Sequence, residues 1–147
     1  MGVVRIPRVA VVGAFVLSIQ LIATVVAVVM NWPAQFGGVG TDARAEFLTR
    51  GTAISAPGLP LVVLAVASWL ATRRDRWGTV GVVLVGLVAL LTTVGGLGEA
   101  LAPATPNVSK EVLVVSGATS VVLAILMLAA MVVELADRRH QNVQAES

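Results

Sequence analysis

Arg73-Arg74-Asp75-Arg76 is the stretch that decides the fold. It is the one dense charge cluster between two long apolar halves. Three arginines in four residues do not lie in hydrocarbon, so the segment reads as a short polar hairpin between two membrane spans. Short loops rich in Lys and Arg stay cytoplasmic, so the hairpin also gives every other segment a side.

Composition agrees with a membrane setting. The chain has 147 residues, of which 57% are hydrophobic and 12% charged, with a mean hydropathy of +0.94. A soluble domain is roughly 45–50% apolar and about 25% charged. The polar surface here is too small to coat a soluble globule, and one membrane domain is expected. The net charge of +2 arises from few charges and offers no basic face for nucleic acid. The sequence has no cysteine, which excludes disulfides, thiolate nucleophiles, iron–sulfur clusters and Cys-held zinc. Its single histidine, His140, falls in a charged tail, so paired-histidine haem and His-rich metal sites are excluded too. No cofactor and no metal are expected.

Working outward from the hairpin gives four spans. Trp77 to Gly98 carries no charge and is rich in Gly and Val. On the other side, the clean apolar run Leu61 to Leu70 is short, and Pro57-Gly58-Leu59-Pro60 stands at its entry. Proline is tolerated in a first helical turn, so a span over about 55–72 is expected. If it failed to cross, the arginine hairpin would lie outside with Arg138 and Arg139. Val9 to Asn31 and Val112 to Val133 are also uncharged and long enough, since a span needs roughly 20 apolar residues. The first exceeds the apolar region of a signal peptide, typically about 7–15 residues. With spans at 9–31, 55–72, 77–98 and 112–133, the inner side holds Arg5, Arg8, Arg73, Arg74, Arg76, Arg138 and Arg139. The outer side holds Arg44, Arg50 and Lys110. Both termini are therefore expected inside.

The expected fold is an all-α integral membrane protein, a four-transmembrane-helix bundle, N-in/C-in. Residues 1–134 form the membrane domain and 135–147 a cytoplasmic polar tail, unstructured from His140 onward because it lacks apolar residues to pack. The first outer loop, 31–55, is broken by Trp32-Pro33 and Gly37-Gly38-Val39-Gly40. Asp42 then favours a helix start, Glu46 and Arg50 are four apart, and Gly51 suits a C-cap. Residues 42–50 are thus expected to form a short amphipathic helix on the outer interface or over the bundle. The Ala/Val/Gly-rich, Arg-over-Lys composition suggests a bacterial plasma membrane.

The polar residues inside the spans are the candidate site. Gln20, Thr24, Thr92, Glu99, Ser116 and Ser120 fall in the outer half or at mid-membrane, and could line an outward-open cavity with an apolar floor. Each also has a structural reading. Gln20 would bond to a Ser or Thr of another span. Glu99 would be an interfacial carboxylate paired with Lys110 or an arginine of 42–50. The hydroxyls would bond to their own preceding turn. No acid–base pair sits at depth, no Ser has a His in reach and no Gly-rich loop cradles phosphate, so no catalytic residue is named. The function expected is that of a non-enzymatic integral membrane protein, an accessory or scaffold subunit binding a membrane lipid, a partner membrane protein or a second copy of itself. The alternative is a small transporter or hydrophobic-ligand binder using the polar cavity.

Overall fold

The computed structural model describes residues 6–145; Arg5 of the basic head and the last two residues of the tail lie outside them. Within them the chain folds as α1 (Arg8–Met30), α2 (Ala43–Glu46), α3 (Gly58–Ala71), α4 (Arg76–Leu101) and α5 (Lys110–Ala145). The stretches Arg8–Met30, Arg76–Leu101 and Lys110–Gln141 are long and apolar enough to cross a membrane, as expected of an integral membrane protein. The fourth apolar helix, α3, has 14 residues. At about 1.5 Å per residue it reaches roughly 21 Å, short of a hydrocarbon core of about 30 Å. It starts at Gly58 rather than near Ser55, because Pro57 is extended (φ −54°, ψ 148°).

The arginine hairpin is built from local bonds. Asp75 caps α4, its carboxylate accepting from the Gly78 N–H at 3.1 Å, and it pairs with Arg73 at 3.4 Å. Arg73 stacks 6.0 Å over Trp69 and Arg76 5.9 Å over Trp77, both exposed rings of an interfacial kind. Arg138 donates to the Ala71 carbonyl at 2.8 Å, satisfying the end of α3, and pairs with Glu134 at 3.2 Å. Arg8 lies 3.7 Å from Asp137. The start of α1 and the later part of α5 therefore share the hairpin's end of the bundle. α5 continues as helix to Ala145, where the sequence suggests an unstructured tail. Its Ala, Arg and Gln residues are good helix formers, and the Glu134–Arg138 pair supports the turn before them.

The four larger helices form a ring in which α1 and α4 each pack on both α3 and α5. Val16, Leu64, Val82, Val85, Leu123 and Met127 fill the centre. Small residues set the helix spacing. A Cβ on Gly81 would stand 2.5 Å from the Ala71 nitrogen and 2.7 Å from the Ala67 carbonyl oxygen, so α3 and α4 meet backbone to backbone. Gly96 and Gly117 play the same part between α4 and α5. Large apolar side chains such as Phe15, Ile22, Val62, Leu87 and Val122 are exposed, as on a surface facing lipid.

The first long loop departs most from expectation. Helix α2 covers Ala43–Glu46 in place of 42–50, although Asp42 caps it and Glu46 meets Arg50 at 2.9 Å as expected. The segment that follows turns its carbonyls away. Phe47 accepts from the Gly58 N–H at 2.9 Å and Leu48 from that of Leu59 at 3.3 Å. These bonds satisfy the first turn of α3, and no continuing helix can make them. Gly51, at φ +84°, then sends the chain down into the bundle.

Candidate functional site

The end of the bundle away from the hairpin holds the candidate residues, and a loop fills its middle. Pro33, Ala34, Gln35, Thr52, Ala53 and Ser55 are all buried. Four side chains reach this loop from three helices. From α1, the Gln20 Oε1 accepts the Ala56 N–H at 2.9 Å, and the Thr24 hydroxyl lies 2.9 Å from that of Ser55. From α5, the Ser116 hydroxyl donates to the Ala53 carbonyl at 2.8 Å. From α4, the Glu99 carboxylate accepts the Gln35 N–H at 3.0 and 3.1 Å and the Phe36 N–H at 3.0 Å.

The loop completes these contacts with a local knot. Thr52 and Ser55 share a 2.8 Å hydroxyl bond, and the Ser55 N–H donates to the Thr52 Oγ1 at 3.1 Å. Ala53 donates to the Trp32 carbonyl at 3.1 Å. Ala53 also packs with Ala102, Val108 and Leu113, a second small core under the far-end loops. Depth follows from these bonds. Gln20 stands ten residues below Met30, about 15 Å at roughly 1.5 Å per residue. Because Ala56 is tied to Gln20, α3 begins about halfway down α1 and the loop fills the rest. Irregular backbone is tolerated at membrane depth only where its polar groups are satisfied inside the protein. Here Gln20, Thr24, Ser116 and Glu99 bond part of the loop in that way, and the Gln35 Oε1 is left buried without a partner among the described residues.

The remaining candidates sit differently. Thr92 donates to the Val88 carbonyl of its own helix at 2.9 Å. Ser120 lies against Gly96. Glu99 does not pair with Lys110, whose Nζ donates to the Ala100 and Ala102 carbonyls at 2.7 and 2.8 Å and so caps α4. The carboxylate paired with Arg50 is that of Glu46. The sequence reading of the site does not include Thr52, Ser55 or the Gln35–Phe36 amides. A Thr-x-x-Ser spacing ahead of Pro57 was the available signal for the first two. Backbone donors leave no sequence signal.

Beside the loop lies a cavity of ≈ 270 Å³. Leu91, Val94, Gly95, Ile54, Pro57 and Pro60 give it apolar walls; Thr92, Glu99, Ser116 and Ser120 are among its polar lining. It lies between loop residues 52–57 and the facing parts of α4 and α5. No cluster of three or more His, Cys, Asp or Glu arranged for a metal occurs among the described residues. Comparison with known protein families, with curated proteins and with solved structures gives no match.

Proposed function

We propose that this is a four-span membrane protein, both termini cytoplasmic, acting as a non-enzymatic accessory or scaffold subunit. Its setting is a bacterial plasma membrane. It binds a membrane lipid or a partner membrane protein through the end opposite the hairpin. The observation that carries this reading is the bonding of the loop. Gln20, Thr24, Glu99 and Ser116 are engaged with the chain's own backbone or hydroxyls, which favours a fixed, plugged bundle over a moving polar path. The four-span arrangement is supported by charge. Arg8, Arg73, Arg74, Arg76, Arg138 and Arg139 gather at the hairpin end, against Arg44, Arg50 and Lys110 at the other. Helix α3 plus the loop tied to Gln20, Ser116 and Glu99 makes up the length of a crossing.

A second reading, a binder of a hydrophobic ligand, is favoured by the cavity beside Glu99 and Ser116. Native mass spectrometry in mild detergent, run on the parent and on Gln20→Leu, separates the two. The accessory reading expects a second polypeptide or a defined oligomer. It also expects Gln20→Leu to keep that assembly while losing about 1–3 kcal/mol of stability, because the half-buried Ala56 N–H loses its acceptor. A bare monomer whose Gln20→Leu form is as stable as the parent sinks it.

A further inference from the structure

Gly95 is the residue the packing leaves unexplained. It lies inside α4, where glycine is about 0.5–1 kcal/mol worse than alanine. Gly81, Gly96 and Gly117 offset that with close backbone contact, but a Cβ built on Gly95 meets nothing within 4 Å. Its missing side chain opens onto the ≈ 270 Å³ cavity. Leu91 and Val94, on the same wall, are 54% and 58% exposed. The cavity thus lies open along an apolar helix face, at the depth where α3 stops short. At that depth the surrounding solvent is lipid chain.

We infer that this groove seats one acyl chain of a membrane phospholipid, with Gly95 as the residue that keeps it open. The polar end of the groove fits the same occupant. Glu99 and Arg50 line it toward the far end of α4, where a headgroup and its ester oxygens would lie. Arg50 bonds to Glu46 and the Gly38 carbonyl, and a guanidinium has five N–H donors, so it keeps others for an ester or phosphate oxygen. The chain is held by dispersion contacts on the walls. An unfilled gap there would forfeit those contacts, and a lipid tail restores them. Recognition is of the tail, so headgroup identity is secondary. This inference rests on the helices lying in a bilayer and on the hydrophobic-ligand reading of the same cavity, which it narrows to a lipid tail; binding of a partner protein can fail without it.

The test uses the full chain in mild detergent with two added phospholipids of equal chain length, one phosphatidylglycerol and one phosphatidylcholine. Native mass spectrometry reads the lipid retained per chain. The parent should keep one lipid of either headgroup, and so should Gly95→Ala, whose methyl leaves most of the groove open. Gly95→Leu fills the groove from a position with free space, so it should fold with an unfolding temperature no lower than the parent's and lose the lipid. Val25→Leu, on an exposed face of α1, should retain it. Retention unchanged in Gly95→Leu, loss in Val25→Leu as well, or no retained lipid in the parent overturns the inference. A dimer that Gly95→Leu dissolves also overturns it, because the groove is then covered by a second copy. A partner polypeptide found alongside the lipid leaves the inference standing, so the two readings fail separately.

Discussion

Glu99 shows how a charged residue settles inside an apolar bundle. Its side of α4 faces the loop, and both carboxylate oxygens take backbone N–H groups of Gln35 and Phe36. The residue is 8% exposed, so these bonds replace most of its water. Glu99→Gln keeps the shape, removes the charge and turns an NH2 toward an N–H. Hydrogen bonds to charged groups contribute about 1.5–3 kcal/mol, so a stability loss of that size is expected. Thermal unfolding in detergent measures it, and protease cutting within 33–40 should rise in parallel. An unchanged midpoint would mean that the carboxylate does not anchor the loop. From sequence the residue was visible as the acid at the end of a span, but its partners were not. They are main-chain donors of Gln35 and Phe36, which any residue other than proline at those positions would have supplied.

The long helices were legible as elements because hydropathy and length overdetermine them. Expected at 9–31, 77–98 and 112–133, they are found at Arg8–Met30, Arg76–Leu101 and Lys110–Ala145. The ends moved where capping outweighed hydropathy: Asp75 draws α4 back to Arg76, and helix-forming polar residues prolong α5. Helix α3 was legible as apolar and its clean run as short, but its start was not, because that end depends on Pro57 and on the Phe47 and Leu48 carbonyls of the loop after α2. Small residues mark faces but not partners. Both Gly95 and Gly96 sit in small-residue context, and only Gly96 meets a neighbour. Gly81 carries the α3–α4 contact. Gly81→Val should force these backbones apart, and overpacking of this kind is destabilising by about 1–3 kcal/mol. The loss should be read as a lower unfolding midpoint, with Gly95→Val as the control that has room for its side chain. Equal losses at both positions would show that helix propensity, and not the close approach, sets the effect.

At the scale of the molecule, one question decides how the parts add up: whether a helix of 14 residues and a buried loop together make a crossing. Bonding argues that they do. The loop descends to Ala56, level with Gln20, and side chains from three helices bond it at Ala56, Ala53, Gln35 and Phe36, as hydrocarbon surroundings demand, while the Gln35 Oε1 stays buried without a partner among the described residues. Charge argues the same way, since a non-crossing α3 would put the hairpin arginines on the outer side. The two topologies place two positions differently. If α3 crosses, Thr41 and Asn107 share the outer side and His140 is inside. If it does not, Thr41 remains outside, Asn107 moves inside and His140 moves outside. The chain has no cysteine, so single cysteines at these three positions report without background. A membrane-impermeant maleimide added to intact cells should label Thr41→Cys and Asn107→Cys, and reach His140→Cys only after permeabilisation. Labelling of 41 and 140 with protection of 107 would establish three crossings. The hairpin would then lie outside and the two loops on opposite faces, which would overturn the packing of Ala53 on Val108 and the bonds from Gln35 and Phe36 to Glu99.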